Sequence, residues 1–177
     1  MRTVTIVAIF AAAAAGIIAG AVLLVNPFVS MVEPATEQRQ LVMDDGTPTK
    51  SGYRQVNITV NGIEIIADIA STDDQRSKGL AIKDTLSENE GMLFVFSAER
   101  EHSFWMKNMK FPIDIIWLDR HKEVVHVEHS LEPCAADSPC QTYKPDDDSL
   151  YVLETVAGFA EKYKVTNGTL VEFSLDA

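Results

Sequence analysis

The stretch "VNITVNGIEIIADIA", residues 56–70, leaves its backbone little choice. Val56, Ile58 and Val60 alternate with polar residues, Asn61-Gly62 interrupts, and Ile63, Ile65, Ala67 and Ile69 resume the alternation. A period of two sends every second side chain to the same face of a strand. Asn-Gly tolerates the positive φ that a two-residue hairpin turn demands, so two paired strands are expected here.

Further strand-like runs follow at short intervals. They are "GMLFVFS" (91–97), "FWMKN" (104–108), "IDIIWLD" (113–119), "EVVHVEHS" (123–130), "LYVLETV" (150–156) and "TLVEFSL" (169–175). The first two read as neighbours joined by the polar "AEREH", and "IDIIWLD" continues into "EVVHVEHS" as a hairpin. "IDIIWLD" is apolar on both parities, the mark of a central strand covered on both faces. Two short helices interrupt the pattern. One spans 73–82, where Thr72 and Gln75 have capping-box spacing ahead of Asp73 and Asp74, and the other is the turn "AGFAEKYK" (157–164). Strands in chain order with short loops imply a mostly β (α+β) fold, an antiparallel β-sandwich or partly closed barrel of about seven to eight short strands.

A different segment precedes this domain. Residues 3–25 carry no charge. As a helix they would extend about 34 Å, against a hydrocarbon core of about 30 Å, which fits one transmembrane signal anchor. The "AGA" at 19–21 also resembles a signal-peptide cleavage site, although the apolar run continues past it. Gly16 and Gly20 form a GxxxG spacing through which two such helices can pack. Arg2 lies before the run and Glu33, Glu37, Asp44 and Asp45 lie after it. That asymmetry keeps residues 1–2 in the cytoplasm and places the rest outside, as a single-pass protein of the cell membrane. Residues 26–51, with Pro27, Pro34, Gly46 and Pro48, read as a linker, and residues 52–177 as the extracytoplasmic β-domain.

All 26 acidic residues lie beyond the uncharged run, against 14 of the 15 basic ones. A surface of that sign repels phosphate backbones, so nucleic acid is not an expected partner. Cys134 and Cys140 are the only cysteines. Outside the cytoplasm an even pair suggests a disulfide, although two free thiols or, more weakly, a metal site are the alternatives.

The polar residues inside "FWMKNMKFPIDIIWLD" carry the functional question. If Phe104 and Met106 face the core, Trp105 and Lys107 face outward together, followed by Asn108. An indole platform with directional polar groups beside it makes a binding surface. Asp114 follows Pro112, a strand-start residue, and is expected near the rim. There it serves a ligand or forms an ion pair with Lys107 that fixes a bend.

Other candidates are weaker. His126 and His129 have opposite parity on a strand, so with His121 they do not make an expected metal centre. "DDD" (146–148) is a calcium candidate or a plain acidic loop. Asn57 and Asn167 begin glycosylation sequons. No motif of a known hydrolase, nucleotide-binding fold or metalloprotease is present, and no cofactor is expected. Asp114 and Glu154 would make a catalytic carboxylate pair only if they stood about 5 to 10 Å apart.

"RSKGL" (76–80), "EGMLFVF" (90–96), "FWMKNMKFPIDIIWLD" (104–119) and "YVLETVAG" (151–158) together resemble the family known as domain of unknown function 192, also called uncharacterised protein family 0127. The resemblance runs from about residue 53 to 175 and implies a small, mostly β domain, often behind a signal or anchor, without implying an activity. By position it picks out Arg76, Gly79, Gly91, Trp105, Lys107, Asn108, Asp114 and Glu154. Ala81 stands where the family commonly has Met, and Met109 where it commonly has Thr. Three functions follow as expectations. The first is binding of a small molecule or glycan by Trp105, Lys107, Asn108 and Asp114, with Arg76 and Glu154 added as ligand-binding residues by the resemblance. The second is a scaffold in an envelope assembly, and the third a hydrolase using Asp114 and Glu154.

Overall fold

The computed structural model describes residues 52–135 and 139–175. The expected stub, anchor, GxxxG and linker lie outside these residues. Among the described residues no helix is long and apolar enough to cross a membrane.

The Asn-Gly hairpin is present: β1 (Arg54–Val60) pairs antiparallel with β2 (Ile63–Ala70), with Asn61 and Gly62 both at positive φ. A crossover follows, made of α1 (Asp73–Lys78) and a 3-10 turn over Gly79–Ile82. Thr72 and Gln75 form the reciprocal capping box that their spacing predicts. The crossover returns the chain to β3 (Glu90–Arg100), which pairs with β2 in parallel. Antiparallel pairing throughout therefore fails at this point. The reason is length: residues 71–89 suffice for a crossover helix, which a parallel connection requires.

Chain order also breaks after β3. The segment β4 (Phe104–Trp105) does not join the main sheet but pairs with β7 (Thr142–Tyr143) as a separate two-stranded ribbon. The expected pairing of "GMLFVFS" with "FWMKN" is therefore not formed. Instead β8 (Ser149–Val156) inserts between β3 and β5 (Ile113–Leu118), while β5 and β6 (Val124–Leu131) make the predicted hairpin. Short α2 (Phe159–Lys162) leads to β9 (Val171–Glu172), and the main sheet has the order β6-β5-β8-β3-β2-β1-β9.

The fold is mostly β, a curled seven-stranded half-barrel with two short helices. Curling brings the two ends of the sheet together. Glu123 bridges Leu170, Val124 N–H donates to Thr169 O, and Val171 N–H donates to Lys122 O. The central strands separate two apolar layers. Ile58, Ile65, Leu93, Ile116, Leu153, Phe159 and Val171 fill the concave side. Met92, Phe94, Ile113, Ile115, Trp117 and Val152 face the other way, under Leu80 of the crossover and Met106 of the ribbon segment. All six residues of β5 are buried, as its two-sided apolar pattern predicts. Gly91 lets β3 and β8 approach closely: a Cβ there would stand 2.8 Å from Glu154 O.

Candidate functional site

Where the crossover, the ribbon and the end of β8 meet, they enclose a cleft of about 670 Å³. Ligand sites commonly have this volume. Phe94, Phe96 and Phe104 form apolar wall, Arg76 and Lys78 line it from α1, and Trp105, Lys107 and Asn108 line it from the ribbon segment. Phe104 packs edge-on against Phe94 and Trp117, with ring centroids 4.9 and 5.9 Å away. Trp105 points the other way and is 58% exposed, as strand parity predicts.

Two covalently close features hold that ribbon segment. Cys134 and Cys140 are joined, with Cα atoms 5.4 Å apart, and Cys134 N–H donates to Met106 O at 3.1 Å. The bridge thus ties the loop leading to β7 beside the strand that carries Trp105. After β4 the chain turns through Lys107-Asn108, with Asn108 at φ 61°. Asn tolerates this left-handed conformation better than most side chains, which accounts for it at the turn. Lys107 is exposed and has no ion-pair partner among the described residues.

The predicted site residues divide sharply. Arg76 lines the cleft, yet its guanidinium is largely occupied: it donates to Ser71 O and Val95 O, pairs with Asp73, and lies 5.3 Å over the Phe96 ring. It fastens α1 to β3. Glu154 also lines the cleft and is only 4% exposed. It accepts the Leu80 amide, while its Oε2 is buried with no partner among the described residues. Burial pushes its carboxyl up to about 8 against the weaker opposing effect of that amide.

Asp114 is elsewhere. It is fully buried rather than at the rim, and it makes no ion pair with Lys107. Its Oδ1 accepts Ser130 N–H at 2.7 Å and Gly158 N–H at 3.0 Å, and its Oδ2 accepts Ala160 N–H at 2.8 Å. Residue parity explains the displacement. Asp114 registers with Thr155 across β5 and β8, whereas Glu154 registers with Ile115, so the two carboxylates project from opposite faces of the sheet. They do not flank one substrate, and the two-carboxylate hydrolase finds no geometry here.

His102 is a cleft residue that the sequence reading missed. It stacks on Phe96 with centroids 3.5 Å apart, its Nε2 lies 3.0 Å from Ala98 O, and its backbone carbonyl accepts the Trp117 indole N–H. Burial lowers its affinity for a proton below the usual histidine range, with Arg100 and Arg76 adding to the effect. Set in the polar connection "AEREH", it gave no periodic signal. Among the described residues no group of three or more His, Cys, Asp or Glu is placed to hold an ion. Asn57 and Asn167 are both exposed, but the Asn167 amide donates to Val125 O, which leaves Asn57 the freer acceptor of the two.

The family model DUF192, described as an uncharacterized ACR, matches residues 56–173. The chain belongs to this family. Among solved structures, a protein from Novosphingobium aromaticivorans DSM 12444, of unknown function, is 27% identical, with TM-score 0.61 over 73% of this chain and 94% of that one. A protein from Sinorhizobium meliloti 1021, provisionally assigned as a transcription regulator, is 23% identical, with TM-score 0.62 over 68% of this chain and 95% of that one. Both share the fold of this DUF192 domain. Among proteins of curated function, none matches the chain. Ala81 and Met109 both line the cleft.

Proposed function

We propose that this DUF192 domain binds a small molecule or glycan in the cleft, with Trp105 as the flat platform and Lys107 and Asn108 as polar contacts. The observation that carries this reading is the exposed indole at the edge of an aromatic-walled concavity. Exposing Trp105 to water is unfavourable unless something covers it, and a flat ring face suits a sugar or another planar apolar surface. Asp114 has no part in binding, since its oxygens are taken up by backbone amides. Among the described residues, the large apolar residues exposed elsewhere are Ile66 and Leu170; Ile82, like Trp105, lines the cleft. A concave site with an aromatic wall and a few polar groups favours a ligand over a flat scaffold surface.

We place the domain outside the cytoplasm, tethered by residues 3–25. The charge asymmetry around that run and the joined cysteines support this placement. Protease added to spheroplasts, with any outer membrane removed, should digest the domain, and protection in spheroplasts but not in lysed cells would refute the orientation. For the cleft, a thermal-shift screen of sugars, nucleotides and peptides is the test. A true ligand stabilises the wild type and not Trp105→Ala. A ligand that stabilises both equally binds elsewhere, and the reading then fails.

A further inference from the structure

A carboxyl group taken from water and left without a partner is costly, and proteins rarely retain one without a use. Glu154 is half in this position: one oxygen accepts the Leu80 amide, while Oε2 is buried with no partner among the described residues, in the cleft wall rather than the concave core. The ionisable groups that share the cleft are Asp73, Arg76 and Lys78 on α1, His102 before β4 and Lys107 after it. The residues registered beside Glu154 on the neighbouring strands, Met92 and Ile115, are apolar. Arg76 is matched by Asp73, and Lys78 by Asp74 at 2.7 Å. Lys107 therefore brings unmatched positive charge to this cleft, in a chain whose formal net charge is −11.

We propose that Glu154 selects the ligand, donating its carboxyl proton to an oxygen of an acidic saccharide whose own carboxylate pairs with Lys107. This deepens the preceding reading and rests on it. With its proton held up to about pH 8, Glu154 is a neutral hydrogen-bond donor at pH 7. Oε2 is covered in the free protein, so the carboxyl must turn about its broad terminal torsion toward the cleft as the ligand arrives, at the expense of its bond from the Leu80 amide. A saccharide covers the indole face, and its acid group meets the unmatched ammonium. A basic ligand would be repelled by Lys107 and would compete with the proton on Glu154.

The test uses the full-length protein and three probes: trigalacturonate, maltotriose and the glucosamine trimer. Binding is followed by calorimetry and by the Trp105 indole signal at pH 6.5 and 9.5. Trigalacturonate should bind at least 10-fold more tightly than maltotriose at pH 6.5. At pH 9.5 most Glu154 carboxyls have lost the proton, so affinity should fall by about 10-fold or more. Glu154→Gln keeps an N–H donor at every pH and should bind at both values without that fall. Glu154→Leu should weaken binding at pH 6.5, its fold checked by circular dichroism. Affinity that stays flat or rises with pH overturns the role of Glu154, and equal or tighter binding of maltotriose or the glucosamine trimer overturns that of Lys107; either result leaves the cleft a binding site. Failure of all three probes to move the indole signal refutes the saccharide reading itself.

Discussion

Two carboxylates on adjacent strands, one registered beside Thr155 and the other beside Ile115, have opposite environments. Asp114 faces the concave core, where Ser130, Gly158 and Ala160 offer three backbone N–H groups, and it binds β5 both to the end of β6 and to the start of α2. Glu154 faces the cleft, receives one amide and keeps an unpaired oxygen. Burial is nearly the same for both, so burial alone does not tell a structural carboxylate from a functional one. The count of donors does. A carboxylate saturated by amides is part of the architecture, whereas one retained unsatisfied beside a cavity is a candidate for a ligand once the carboxyl turns toward it.

Substitutions can sharpen or break this contrast. Asp114→Ala leaves three amides without their acceptor and should cost about 5 kcal/mol or more, which consumes much of a typical domain's stability. Urea unfolding measures it, and a loss under about 1 kcal/mol would erase the contrast. Glu154→Gln should do the reverse. Below about pH 4.5 folded and unfolded wild type both hold the proton. As pH rises toward 8 the unfolded chain releases it while the folded chain does not, so wild-type stability falls across that window and then levels. The Gln variant escapes this loss and should lead by a few kcal/mol at pH 8 while nearly matching the wild type at pH 4.5. Thermal melts across that range decide, and a gap independent of pH would contradict an unsatisfied acid at position 154.

Smaller effects lie farther from the two carboxylates. Replacing both Cys134 and Cys140 by Ser should cost about 2 kcal/mol by the chain-entropy estimate for so short a loop. Hydrogen exchange should then quicken around Phe104–Trp105 more than in β5. Thr155 Oγ1 is also buried without a partner among the described residues, on the Asp114 side. Thr155→Val removes that orphan hydroxyl at similar volume and should change stability by about 1 kcal/mol or less, upward rather than downward. Trp105→Ala should leave stability within about 0.5 kcal/mol, since the indole is mostly in water. A large destabilisation would recast it as core.

Local chemistry was legible in the sequence. The hairpin at Asn61-Gly62, the Thr72 cap, the two-sided burial of β5 and the outward Trp105 all follow from period and turn residues. Long-range pairing was not, because short loops suggest neighbours in chain order while β8 inserts from more than 30 residues beyond β5. Asp114 misled for a related reason. The proximity of Pro112 suggested a rim, but the donors that hold Asp114 come from positions 130, 158 and 160, and nothing local to it announces them.

The meeting of β6 with the segment entering β9 has a consequence for how these molecules behave at high concentration. An open sheet offers a row of unused amides to which another chain can add as an extra strand. Here the first residues of β6 are already engaged by 168–171. Farther along, β6 changes register opposite Ile113 and Ile115 and carries Ser130 at φ 48°, which spoils a flat template. On the other flank, the part of β1 beyond β9 begins with Arg54, Gln55, Val56 and Asn57, a mostly polar run. The described domain therefore presents no long, flat apolar border for strand addition, and crowding should favour separate molecules over cross-strand aggregates.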